Sequence, residues 1–246
     1  MASSTQKTYN LNLMDIDRYR SMTQLPESET DNTSQKIVAK KCKYKDCDYT
    51  IVKYNKSALV EQEYATLGLA RSIIICDGNV VAFSPPKSLP FTSFSTSNPA
   101  EQCFAEDFID GTMINLFYNP NPNVADWVIA TRSRIGAETL FYKMDTNTNL
   151  SSNDVSNNDR IKNRTFSDMF YEAAQIANLD FSRLDNNWCY SFVLQHPDNR
   201  IVTPIDFPKL FLITAYNINN DTNLVVEIDR EVLLNNSGGF WNTGIL

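Results

Sequence analysis

The sequence contains a single histidine, His196. A histidine-based zinc site or a catalytic triad would have to be assembled around that one residue. The five cysteines, Cys42, Cys47, Cys76, Cys103 and Cys189, are odd in number and irregularly spaced. They do not form a disulfide framework, and no second Cys/His pair follows Cys42 and Cys47 to complete a zinc site. Reduced thiols and no disulfide-linked partner are expected. Long apolar runs are also absent. None approaches the length of a membrane span, and the N-terminal MASSTQKTYNLNLMDIDRYR has no apolar stretch long enough for a signal peptide. The expectation is a cytoplasmic protein without a membrane partner. Nor is there an excess of positive charge: 22 Lys and Arg stand against 29 Asp and Glu, a net charge of -7. This excludes a protein that coats nucleic acid non-specifically, but leaves room for a local basic groove.

What remains is the composition of an ordinary globular protein. The chain has 246 residues, 42% hydrophobic and 21% charged, enough to bury a sizeable core. Residues 1–35 are polar and weakly periodic and read as a leader, with SMTQLPESETDNTSQK as a flexible loop. Residues 36–246 read as one domain, without internal repeats. The lysine-rich stretch IVAKKCKYKDCDY reads as a solvated strand edge or loop.

Strand signals dominate from Tyr49 onward. TIVKY is β-branched and alternating. In RSIIICDGNVVAFSPP, Asp77-Gly78 between two apolar runs predicts a hairpin of Ser72–Cys76 with Asn79–Phe83, stopped by Pro85-Pro86. GTMINLFYN and DWVIATRSRIG alternate on either side of the turn-rich NPNPN. Residues 145–163 are poor in apolar side chains and read as a loop or insertion. Thr165 is a helix N-cap, with Asp168 three positions later. Phe166, Met169, Phe170, Ala173, Ala174 and Ala177 follow as a core-packing stripe. CYSFVLQ and KLFLITAYNI are strands joined through HPDNRIVTP, and residues 223–229 form a last strand. The fold class is α+β, rich in antiparallel sheet and hairpins, with few helices.

The chemistry-bearing residues fall at strand ends. AEDFIDGTMINLFY places Glu106, Asp107 and Asp110 before a buried strand, with Asp110-Gly111 as a tight-turn pair. In TRSRIG, Arg132 and Arg134 alternate, which on a strand puts both guanidinium groups on one face, a cradle for phosphate oxygens. Arg71 and Lys87 are further cations where a strand meets a loop.

The order of these pieces resembles the phage-type ATP-dependent RNA ligases. In that family an Arg-containing strand precedes a lysine-bearing loop. A Lys-x-Asp-Gly element follows, then a basic strand, then a strand ending in Asn-Arg-Ile-Val. Here the counterparts are GLARSIIICDGNVVAFSPPKS, AEDFIDGTMINLFY, ATRSRIG and CYSFVLQHPDNRIVTP, followed by KLFLITAYNI, over residues 67–218. The resemblance implies a nucleotidyltransferase, the ATP-grasp-like adenylation domain of RNA and DNA ligases, acting in RNA repair. ATP and Mg2+ would be its cofactors, and nucleotide and RNA ends its partners. Relatives in large DNA viruses imply a viral protein of the host cytoplasm or virus factory. The implied reaction is attack of a lysine amine on the α-phosphorus of ATP, transfer of AMP to an RNA 5′-phosphate, and its displacement by a 3′-hydroxyl.

Carried over position by position, the resemblance assigns Arg71, Lys87, Glu106, Asp110, Gly111, Arg132 and Arg134 to the nucleotide, and Asn199 and Arg200 to RNA. It also exposes three departures. The lysine position is Phe108, whose phenyl ring cannot form a phosphoramidate. The glutamate that holds the ribose is matched by the neutral Ser191. The family's downstream Glu-Gly and Lys-x-Lys elements have no counterpart, Lys209 being the last lysine. The expectation is therefore a pseudoenzyme that binds nucleotide or RNA without lysyl-AMP chemistry. The alternatives are a divergent or truncated active ligase, with Lys87 as its only substitute nucleophile, and a viral structural or interaction protein on the same fold.

Overall fold

The computed structural model describes residues 6–21, 35–103, 105, 107–140, 164–199, 202 and 204–236. It is α+β, with two antiparallel sheets and few helices. The first sheet has seven strands in the order β1-β11-β10-β9-β6-β7-β8: Thr8–Asn10, Leu224–Glu227, Lys209–Asn219, Trp188–Gln195, Thr112–Asn119, Asp126–Thr131 and Arg134–Ile135. The second has four, in chain order: β2 (Ile37–Tyr44), β3 (Cys47–Tyr54), β4 (Ile73–Cys76) and β5 (Asn79–Ala82). The helices among the described residues are Ile16–Ser21, Phe91–Ser97, Phe166–Ile176 and Arg230–Asn236, with short 3-10 turns between elements. None is long and apolar enough to cross a membrane.

The seven-stranded sheet is covered on both faces, because its central strands are apolar on both. Along β6, Ile114 and Leu116 join one core while Phe117 joins the other, as the period of two requires. One core lies against the four-stranded sheet and gathers Tyr49, Ile51, Ile73, Ile75, Phe83, Phe117 and Tyr216. The other lies under the helix Phe166–Ile176, whose Met169, Phe170, Ala173 and Ala174 pack on Tyr190, Phe192 and Leu194. Each fully buried large apolar side chain contributes about 1.5–3 kcal/mol to this association.

Local chemistry sets the element ends. Asp77 and Gly78 both have positive φ, 48° and 76°, forming the two-residue turn of the β4–β5 hairpin. Thr165 accepts from the Asp168 N–H at 3.1 Å, and the Asp168 carboxylate accepts from the Thr165 N–H at 2.9 Å. This reciprocal box starts the helix where the sequence places it. In NPNPN, the Asn119 and Asn121 side chains each accept from the backbone N–H two residues on, the Asx-turn chemistry that reverses β6 into β7. The lysine-rich stretch is largely β2, an edge strand. The insertion 145–163 and the ending GGFWNTGIL lie outside the described residues.

The leader boundary needs correction. Residues 8–10 form β1 and pair with β11, Thr8 opposite Val226. Leu11 and Ile16 are fully buried. The Tyr9 ring lies 5.3 Å from that of Phe83, and its hydroxyl donates to Glu227 at 2.8 Å. The segment looks polar because its few apolar side chains are spaced irregularly across a short strand, a 3-10 turn and a one-turn-and-a-half helix, which defeats any periodicity test.

Candidate functional site

The two segments that carry the resemblance most specifically meet in space. Thr112 at the start of β6 stands opposite Leu194 near the end of β9. The Gln195 side chain donates to the Asp110 carbonyl at 2.8 Å, and the Asp110 carboxylate accepts from the Val202 N–H at 3.1 Å. Asn199, on the 3-10 turn Pro197–Asn199, donates to the Thr112 hydroxyl at 2.7 Å. Gly111 does not serve as a tight-turn residue. A Cβ there would come within 2.6 Å of the Leu194 carbonyl oxygen and of the Val193 side chain, so glycine is needed for β6 to approach β9. Asn199, assigned to RNA by sequence, is instead only 2% exposed and clips this junction together. Glu106 and Arg200 lie outside the described residues.

The expected cations divide into two groups. Arg132 is not on a strand face shared with Arg134. It occupies the two-residue turn between β7 and β8, because the pairing of Thr131 with Arg134 leaves Arg132 and Ser133 to turn the chain. From that turn its guanidinium reaches across to the four-stranded sheet. It donates to the Arg71 carbonyl at 3.1 Å and to the Tyr54 carbonyl at 2.9 Å, and lies 5.0 Å from the Tyr54 ring centre. Burial, and then the nearby Arg71 charge, hold the Arg132 pKa below its ordinary value.

Two lysines that the sequence did not single out complete the group. Lys53 donates to Ser133 at 2.9 Å, and burial followed by repulsion from Arg132 and Lys40 lowers its pKa. Lys40 and Arg134 also act together on the half-buried Cys42 thiol. They pull against the burial that raises its pKa, while Asp48 adds to the rise. Among the described residues, Lys40, Lys53, Arg71, Arg132 and Arg134 have no ion-pair partner. These cations lie without carboxylate partners among the described residues in a chain of net charge -7, an arrangement in which their mutual repulsion would be relieved by an anion. Lys40 pairs opposite Ile51, two residues from Lys53, so both share one face, a juxtaposition that the register supplies and the sequence does not.

Lys87 stands in a different setting. It is half-buried, its amine 4.5 Å from the Tyr64 ring centre and donating to the Ser88 carbonyl at 3.3 Å. Phe108 is 99% exposed and lines no interior site. Ser191 is fully buried and satisfied from within. Its hydroxyl donates to Asn115 at 3.0 Å, Asn115 donates to Ser84 at 2.7 Å, and Ser84 donates to the Ser72 carbonyl at 2.9 Å. That chain of hydrogen bonds stitches the two sheets together.

A second polar group surrounds His196, which is 2% exposed. Its Nδ1 accepts from the Asp198 N–H at 3.0 Å, and its Nε2 faces Glu172 at 3.4 Å. Arg164 joins Glu172 and Asp198 in ion pairs beside it. Among the described residues no group of three or more His, Cys, Asp or Glu side chains is placed to hold a metal ion. Asp110 accepts from the Val202 N–H. Compared with known proteins, the sequence matches no protein-family model and no curated protein.

Proposed function

We propose that the chain is an RNA ligase-like nucleotidyltransferase domain that binds the phosphates of a nucleotide or RNA without forming lysyl-AMP. The observation that carries this reading is the convergence of Arg71, Arg132 and Lys53, without carboxylate partners among the described residues, where β3, β4 and β7 end or begin. Guanidinium and ammonium groups held together against their own repulsion are relieved by an anion, and phosphate oxygens suit the guanidinium fork. Contact of Asp110 and Thr112 with Gln195, Asn199 and Val202 supports this reading to the extent that it joins the two elements in which the resemblance is most specific. A phenyl side chain at position 108 supports the non-covalent reading, since it offers no amine.

The test is incubation of the full chain with α-labelled ATP and Mg2+, followed by a denaturing gel, alongside equilibrium ATP binding. No covalent band is expected, and Arg71→Gln or Lys53→Gln weakens ATP binding about tenfold, as loss of a charge-assisted contact does. A protein–AMP band would sink the non-covalent reading. If Lys87→Ala then abolished the band, an active ligase with Lys87 as nucleophile would replace it.

A further inference from the structure

The sheet register brings more to this end of the molecule than cations. Asn115 of β6 stands opposite Ala130 of β7, so Arg132, just past the end of β7, and Asp110, just before β6, lie at the same end. On the other side of β6, Thr112 stands opposite Leu194, and the next β9 residue, Gln195, stands opposite Lys209 of β10. The end of the seven-stranded sheet thus carries, across neighbouring strands, the Arg132 turn, the Phe108–Asp110 segment and the start of β10. With strands spaced about 4.8 Å apart, this front is about 15 Å wide.

Two phenyl rings stand out to solvent along it. Phe108 is 99% exposed and Phe207, two residues before β10, is 55% exposed. The Lys209 amine lies 4.4 Å from the centre of the Phe207 ring. An exposed ring gains nothing from the fold that displays it. Exposed rings at the same sheet end as cations without ion-pair partners among the described residues supply the two features that hold a single strand: faces on which bases stack, and positive charge for the backbone. A base pair hides both faces of its bases within the stack, so a duplex could use only the cations.

We propose that this end of the sheet pair is a binding path for single-stranded nucleic acid, with Phe108 and Phe207 stacking bases and Arg71, Arg132, Lys53 and Lys40 holding phosphates. Phe108 is then a recognition residue in the place where the resemblance expects a nucleophile. The proposal rests on the phosphate-binding reading above and narrows its ligand from nucleotide to strand. Neither ring nor cation reads the ribose 2′-hydroxyl, so RNA and DNA strands share the chemistry.

The experiment is fluorescence anisotropy of the full chain with labelled 12-nucleotide oligo-U, oligo-dT and a blunt duplex of equal length, with ATP binding measured in parallel. Both single strands are expected to bind at least tenfold more tightly than the duplex. Phe108→Ala and Phe207→Ala each cost single-strand affinity about tenfold and leave ATP binding unchanged. Binding of oligo-U alone, still lost on Phe108→Ala, would support the path and assign its source to RNA. Full single-strand affinity in the Phe108→Ala/Phe207→Ala double variant, or a duplex bound as tightly as a single strand, would overturn the path and leave the phosphate reading standing. Indifference of both ATP and oligonucleotides to Arg71→Gln and Lys53→Gln would overturn the phosphate reading itself. Phe108 is so exposed that its replacement does not endanger folding, so a loss of binding reports on recognition.

Discussion

The Asn199 side-chain amide donates to the Thr112 hydroxyl at 2.7 Å, fastening the turn after β9 to the first residue of β6. Asn199 is buried, and its own carbonyl oxygen has no partner among the described residues. Among the described residues, its side-chain amide is held by this one bond. Asn199→Ala removes the donor and leaves the Thr112 hydroxyl unsatisfied, at a cost of about 1–2 kcal/mol. Thr112→Val costs a similar amount, and the double variant less than the sum, because both act on the same bond. Urea denaturation of the four proteins checks this. Additive losses would show that the contact contributes no coupling.

Gly111 gives the same junction its second constraint. The neighbours a Cβ would meet include the Leu194 backbone carbonyl, which cannot rotate out of the way as a side chain can. Gly111→Ala therefore has to push β6 away from β9 near the Thr112–Leu194 pair. The expected loss is about 2 kcal/mol or more, as for other overpacking changes. A midpoint of denaturation equal to that of the parent protein would refute the close approach.

Much of this architecture was legible because it is local. Asp77-Gly78 and the Thr165–Asp168 box declare themselves within four residues, and hydrophobic alternation marks the long strands. What escaped the sequence depends on contacts between distant segments. Tyr9 packs against the core only because Phe83 and Glu227 come to meet it. Arg132 and Arg134 read as one face of a strand, but pairing of Thr131 with Arg134 puts Arg132 in the turn. That same turn carries the Arg132 guanidinium to the Arg71 backbone carbonyl, for a reason the alternation did not contain. Lys40 read as part of a solvated strand edge or loop and Lys53 as part of a strand, and only the approach of Ser133 and Arg132 makes them part of a cluster.

The cation cluster predicts a salt signature. Each cation that neutralises a phosphate releases a counterion, so the logarithm of the binding constant falls linearly with the logarithm of salt concentration. Arg71→Gln and Lys53→Gln should each reduce the magnitude of that slope by roughly one. Phe108→Ala should lower affinity without changing the slope, because stacking releases no counterion. Titrations of an oligonucleotide across several salt concentrations separate the roles. A slope unaltered in Lys53→Gln would place that lysine outside the contact.

His196 predicts a loss of stability in mild acid. The Asp198 N–H donates to Nδ1 at 3.0 Å, which places the imidazole proton on Nε2, facing Glu172 at 3.4 Å and Arg164 at 3.5 Å; the Asp198 carboxylate is 3.6 Å from Nδ1. Burial, then the Arg164 charge, hold the pKa below the ordinary 6.5, with Asp198 opposing them. Above the ordinary value both folded and unfolded chains carry a neutral ring, and the group contributes no pH dependence. Below it the unfolded chain takes up a proton first, so stability falls as the pH drops from the ordinary value toward the lowered one. Protonating Nδ1 in the folded chain would also forfeit the bond from the Asp198 N–H. His196→Asn keeps an acceptor but cannot titrate, so its stability should change less between pH 7 and pH 5 than that of the parent protein. Parallel urea melts at both values decide the matter, and equal pH dependence in the two proteins would remove His196 as the acid-sensitive group.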